Sequence, residues 1–154
     1  MADGVQWKIS QLFNNGVAVF DGAVGSEIYK LGFFVNVSYE NLSLAAPAKI
    51  KAIHTAYLDS GADVLTTNSY AANRQSLSRY GLADKVREIN IAAVELAREA
   101  IDEAKRTALI AGSISSLNHN ESIDHKTALD IIQEQAAALI DGGCDFLMFE
   151  TTPS

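Results

Sequence analysis

The sequence predicts an α/β fold, a run of parallel strand–helix units of the (β/α) barrel kind, with about four units in this chain. Three observations carry that prediction. Short apolar runs alternate with long amphipathic stretches, which implies right-handed βαβ crossovers and a parallel sheet. The segment Gly61, Ala62, Asp63, Val64, Leu65 is echoed by Gly143, Cys144, Asp145, Phe146, Leu147. Each reads as a helix stop, a small residue, an aspartate and a buried strand. Each apolar run also ends in polar residues, the place where barrel enzymes keep their sites. With no reversal visible among the units, a barrel series is favoured over a doubly wound open sheet, the alternative architecture.

Residues 7 to 14 read as a short opening helix. Val17, Ala18, Val19 and Phe20 form a continuous apolar run suited to a first strand buried on both faces. Asp21 stands where that strand emerges. Gly22 and Gly25 allow close backbone approach or a positive φ, so Asp21 and the amides after it would line a polar pocket suited to a positive group. Ser26 to Leu31 reads as a brief helix ended by Gly32, and residues 33 to 46 carry no clear period. Pro47 opens a helix as its first-turn proline, with Ile50, Ile53, Tyr57 and Leu58 on one face and Gly61 as its stop.

Asp63 to Thr66 is the second strand, and Thr67, Asn68 and Ser69 mark its exit. From about Leu82 to Lys105, Val86, Ile89, Ala93, Ala97, Ala100 and Ala104 recur at helical spacing, and Lys105 and Arg106 complement the terminal dipole. Ala108 to Ile114 is the third strand, with Ser113, Ser115 and Ser116 at its exit. A helix from about Asp124 to Asp141 turns Leu129, Ile132, Ala136, Leu139 and Ile140 inward and stops at Gly142 or Gly143. Asp145 to Phe149 is the fourth strand, followed by Glu150, Thr151 and Thr152.

The chain has 154 residues, 48% of them hydrophobic, which is one domain's worth with a substantial core. A net charge of -7 and a pI near 4.8 argue against nucleic acid or an anionic membrane as partner and favour a small solute. The opening residues lack a basic segment followed by an apolar core, and Cys144 is the single cysteine, so a cytoplasmic location is expected. Asn36, Asn41 and Asn120 begin Asn-x-Ser triplets that would matter only after secretion. His54, His119 and His125 have no metal-ligand spacing and read as surface or helix-face residues, and Trp7 as packing. A full barrel takes roughly 250 residues. The chain is therefore expected to be the N-terminal half of a barrel domain, a fragment of a longer polypeptide, or a half-barrel that self-associates through its exposed strand edges.

Four motifs together resemble the homocysteine S-methyltransferase family: DGAVGSE at 21–27, AYLDSGADVLTTNSYAA at 56–72, AGSIS at 111–115 and GGCDFLMFETTPS at 142–154. That family includes betaine-dependent and S-methylmethionine-dependent enzymes and the homocysteine module of cobalamin-dependent methionine synthase. The resemblance implies a (β/α)8 fold of the TIM-barrel type that transfers a methyl group to the zinc-activated thiolate of homocysteine, giving methionine. It implies a methyl donor such as S-methylmethionine, S-adenosylmethionine or betaine. It also implies that acidic residues hold the amino group of homocysteine, and the matching positions are Asp21 and Glu150. With the neighbouring strand exits, the expected substrate-binding set is Asp21, Gly22, Thr67, Asn68, Ser113 and Glu150.

The chain departs from the family pattern in its cysteines. The three zinc ligands come from a Gly-x-Asn-Cys-like and a Gly-Gly-Cys-Cys-like segment in the second half of the barrel, and neither is present. Cys144 takes the place of an ordinary small residue before the fourth strand and is not counted as a ligand. No catalytic or metal residue is therefore expected here, and the isolated chain is expected to be inactive. The segment from Ser116 to Asp124 is short for the loop after the third strand, on the methyl-donor side.

Plainer readings compete with these. Asp21 suits a helix N-cap or turn, and Thr67, Asn68 and Ser113 suit the satisfaction of loop backbone groups. A phosphate-binding (β/α) enzyme would use the Gly22 to Gly25 turn and Gly112, Ser113, although Asp21 would repel the anion and no Walker-type Gly-Lys-Ser follows. A non-catalytic half-barrel scaffold is the third reading.

Overall fold

A computed structural model of the chain describes residues 10, 14, 16–34, 36–117 and 123–151. Its centre is a parallel sheet of β1 (Val64–Thr66), β2 (Leu109–Ser115) and β3 (Phe146–Glu150), in that order. Val64 pairs with Leu109, and Ala111 through Ser115 pair with Phe146 through Glu150. Every residue of β2 is buried, as a strand flanked on both sides requires.

Among the described residues six α-helices of four residues or more accompany the sheet: α1 (Val24–Lys30), α2 (Leu42–Ala45), α3 (Pro47–Asp59), α4 (Arg74–Ser78), α5 (Val86–Ala104) and α6 (His125–Asp141). α5 carries the chain from β1 to β2 and α6 from β2 to β3, the crossovers that the alternating pattern predicts. Asp124 caps α6, its Oδ1 accepting from the amides of Lys126 and Thr127 at 3.0 and 3.1 Å. Asn73 caps α4 through Ser76 N–H. The main core joins Leu65, Ile110 and Ile114 of the sheet to Leu58, Val94, Ala97 and Leu139 of the helices. Among the described residues no helix is long and apolar enough to cross a membrane.

The expected first strand is the main departure. Val17 is 85% exposed, Val19 and Phe20 are also exposed, and the run makes one isolated parallel bridge, Phe20 to Val64. It lies along the outer edge of β1 with solvent on its far side, so it is not buried on both faces, and among the described residues the sheet has three strands rather than four. It is nonetheless anchored, since Asp63 and Val64 N–H donate to Val19 O and Asp21 N–H donates to Val64 O.

The repeated pentapeptide has a physical purpose. Asp63 Oδ2 accepts from Val19 N–H at 3.0 Å, and Asp145 Oδ2 accepts from Ile110 N–H at 2.9 Å. Each aspartate thus pins the neighbouring segment at its entry to the sheet. Each is preceded by a helix-ending glycine with positive φ, 99° at Gly61 and 89° at Gly143, a conformation glycine adopts without strain.

Three helical details also correct the sequence reading. Leu129 and Ile140 are 46% and 58% exposed, because α6 turns Gln135, Ala138 and Leu139 to the core instead. His54 is fully buried on α3 between Ile50 and Leu58 rather than on the surface. α2 and α4 arise in stretches without a long period. The opening helix falls mostly outside the described residues, as do Trp7 and His119, while His125 is exposed at the start of α6.

At Gly112, side chains from α6, from β3 and from the residue before Asp145 pack tightly against β2. A Cβ there would meet Cys144 Sγ, Leu139 Cδ1 and Leu147 Cδ2, each at 3.2 Å. Gly112→Ala is expected to destabilise the fold by about 1–3 kcal/mol through overpacking. Urea unfolding measures it, and adding Cys144→Ala is expected to recover part of the loss by removing one of the three opposing atoms.

Candidate functional site

The C-terminal ends of β1, β2 and β3 open on one side of the sheet together with the Phe20 to Gly25 turn. They surround a cavity of about 480 Å³. Asp21, Gly22, Thr67, Asn68, Ser113 and Glu150 all line it.

Asp21 enters by backbone pairing with β1, and its Oδ2 accepts from Thr66 N–H at 2.8 Å. Its Oδ1 is buried without a partner among the described residues. Burial pushes its pKa up to about 6, the Thr66 hydrogen bonds pull against that rise, and the negative charge of Glu150 adds to it. Glu150 approaches from the end of β3 and its Oε1 accepts from the Ser113 hydroxyl at 2.5 Å. Thr151, next in the chain, has a φ of 55°, unusual for a β-branched residue, and its carbonyl accepts from Ser116 Oγ at 3.0 Å. The chain therefore turns sharply just past this carboxylate.

Thr67 and Ser113 hold one another. Ser113 N–H donates to Thr67 Oγ1 at 3.0 Å, and Thr67 Oγ1 lies 2.6 Å from Ser69 Oγ. Asn68 uses its side-chain amide to hold Tyr39 O at 2.7 Å and Ser43 Oγ at 3.2 Å, so its donors tie down the neighbouring wall. Gly22 has an ordinary negative-φ backbone and is required by crowding instead. A Cβ there would stand 2.8 Å from Tyr57 Oη. Gly25 has only ordinary contacts, the nearest with the Tyr39 ring at 3.9 Å.

One contributor has no counterpart in the sequence reading. Glu40 lines the cavity from the stretch without a period, and its Oε1 accepts from Ala71 N–H at 3.2 Å while Oε2 accepts from Ser38 Oγ at 2.8 Å. Tyr39 and Tyr70 stand beside it. Among the described residues the lining thus carries three carboxylates and no lysine, arginine or histidine. Such a surface suits a ligand with a positive group that donates hydrogen bonds.

A metal is not held by these residues. Among the described residues no three His, Cys, Asp or Glu side chains form a group able to ligate an ion. Cys144 lies away from the cavity, packed against the core near Gly112, and burial raises its thiol pKa.

Comparison with known proteins comes to the same region of sequence space. A family model described as homocysteine S-methyltransferase matches residues 18–154. A methionine synthase of Mycobacterium leprae (strain TN) is 31% identical over 152 residues, covering 88% of this chain and 12% of that protein. A selenocysteine methyltransferase of Astragalus bisulcatus is 29% identical over 171 residues, covering 89% of this chain and 51% of that protein. The crystal structure of the homocysteine methyltransferase MmuM from Escherichia coli in its metallated form superposes with a TM-score of 0.80 at 24% identity, covering 96% of this chain and 58% of that one. At that identity the likeness speaks for the fold. The chain spans about half the length of the selenocysteine methyltransferase and a smaller share of the methionine synthase.

Proposed function

The chain belongs to the homocysteine S-methyltransferase family, and from that membership we propose that it supplies the part of a methyltransferase site that grips homocysteine by its ammonium group, through Asp21 and Glu150. The observation that carries this reading is the meeting of these two carboxylates, 129 positions apart in sequence, on a cavity that among the described residues has no basic side chain and leaves the buried Asp21 Oδ1 without a donor. A carboxylate in that state is costly unless a donor arrives. An α-ammonium group brings three N–H donors and a positive charge.

The finer reading is that this is the first half of a (β/α)8 barrel. The exposed outer edges of β3 and of the Val17 to Phe20 segment would then pair with further strands or with another copy of the chain. The thiol of homocysteine, with a pKa near that of cysteine at about 8.5, needs activation before it attacks a methyl group. The described residues do not fit a zinc site, so zinc and the three cysteines that would hold it are assigned outside them. The donor, of the S-methylmethionine, S-adenosylmethionine or betaine kind, is assigned likewise. A free Cys144 accords with a reducing compartment such as the cytoplasm. A phosphate-binding enzyme is disfavoured, because among the described residues three carboxylates face the cavity and no cation does.

Calorimetric titration with L-homocysteine and with 4-mercaptobutanoate, which differs only in lacking the α-amino group, tests the proposal. Homocysteine is expected to bind at least about tenfold more tightly, the value of a charge-assisted hydrogen bond. Equal affinities, or binding of inorganic phosphate in place of either thiol, would overturn it.

A further inference from the structure

The wall of the cavity contains a buried polar ring, Thr67, Ser69 and Ser113, whose protons can be assigned by counting. Ser69 Oγ donates to Ser113 O at 2.8 Å, which uses its one proton, so in its 2.6 Å contact with Thr67 Oγ1 it must accept. Thr67 Oγ1 in turn accepts from Ser113 N–H at 3.0 Å. The ring Thr67, Ser69, Ser113 is therefore closed and directional, and Ser113 is gripped at both its N–H and its C=O. Its remaining hydroxyl proton goes to Glu150 Oε1.

One side chain enters this ring from another layer. Gln135 of α6 is fully buried, lies outside the cavity lining, and its Nε2 donates to Ser69 O at 2.7 Å and to Ser113 O at 3.4 Å. Its Oε1 has no partner among the described residues. An apolar side chain at this point of α6 would avoid that unpaired acceptor. What an apolar side chain lacks is a donor aimed at the two carbonyls.

We propose that Gln135 is a positioning residue for Glu150. By tying the Ser69 and Ser113 carbonyls to α6 it fixes the Ser113 peptide, and the Ser113 hydroxyl then holds the Glu150 carboxylate where the amino group of the substrate binds. The inference rests on the reading of Glu150 as an ammonium-binding residue. A purely structural glutamine would affect stability and leave ligand selectivity alone.

The readout is the ratio of 4-mercaptobutanoate to L-homocysteine dissociation constants, measured on the full chain. Gln135→Met fills nearly the same volume and removes both donated bonds. The ratio is expected to fall about threefold in Gln135→Met and about tenfold in Ser113→Ala, with the double variant no lower than Ser113→Ala alone because both act on one path. A folded Gln135→Met that keeps the wild-type ratio, or a double variant in which the two losses multiply, would overturn the proposal. If Gln135→Met does not fold, Gln135→Leu removes the same donated bonds with a different shape; a lowered ratio supports the proposal and an unchanged one overturns it. A wild-type chain that fails to prefer homocysteine sinks the ammonium reading and this inference with it, whereas preference retained in Gln135→Met sinks only the inference.

Discussion

Acidification from pH 7 to pH 4 is expected to cost the folded chain on the order of 3 kcal/mol through one residue, His54. Its ring is fully buried, both nitrogens lack partners among the described residues, and burial lowers its pKa from 6.5 to about 4. The unfolded chain takes up the proton near pH 6.5 and the folded chain resists until about pH 4. The stability is therefore whole above 6.5 and drains away as pH falls toward 4. Asp21 works in the opposite direction, since its raised pKa means that protonation below about pH 6 favours the folded state. The test is accordingly a comparison of wild type with His54→Leu by urea unfolding at a series of pH values. His54→Leu is expected to match or exceed the wild type at pH 7, because two unpaired nitrogens are removed. The gap should widen below pH 6.5 and level off near 4; curves that run parallel would contradict the assignment.

Asp21→Asn is expected to weaken L-homocysteine binding by about 10- to 100-fold while leaving the unliganded chain as stable as before or more so. The two signs differ because the carboxylate is partly buried and short of a donor when the cavity is empty, and becomes satisfied when the ammonium arrives. The ammonium selects the ionised carboxylate, so wild-type affinity should hold above pH 7 and fall below about pH 6, approaching tenfold per pH unit. A carboxamide in place of the carboxylate cannot titrate, and the variant's profile should stay flat across that window. A variant that binds as well as wild type, or that keeps the fall below pH 6, would remove Asp21 from the binding site.

Much of this is legible in the sequence alone. α3, α5 and α6 announce themselves because their buried residues recur at helical spacing, and the glycines at 61 and 143 stop the chain where the period ends. The parallel order follows, because a strand with a long helix after it has few ways to return to the same sheet. What the sequence hides is lateral context. Val17 to Phe20 has the composition of a buried strand, yet whether a second neighbour covers it is not written in those four residues. The burial of His54 depends on how α3 packs against α5, and the apolar face of α3 reads equally well without it. Glu40 sits in a stretch without a period, and its place at the cavity depends on Ala71, 31 positions further on. Asn68 stands at a strand exit like the others, but its amide turns to Tyr39 and Ser43. The paired aspartates Asp63 and Asp145 were visible as an echo, and only the hydrogen bonds they accept explain it.

The claim on which the rest depends is that an ammonium group docks against Asp21 and Glu150. A carbon-13 NMR titration of the Asp21 side-chain carboxyl, with and without saturating L-homocysteine, measures this most directly. The account predicts a midpoint near pH 6 in the free chain that drops by at least about one pH unit when homocysteine is bound and does not move with 4-mercaptobutanoate. A midpoint that homocysteine leaves in place would contradict it.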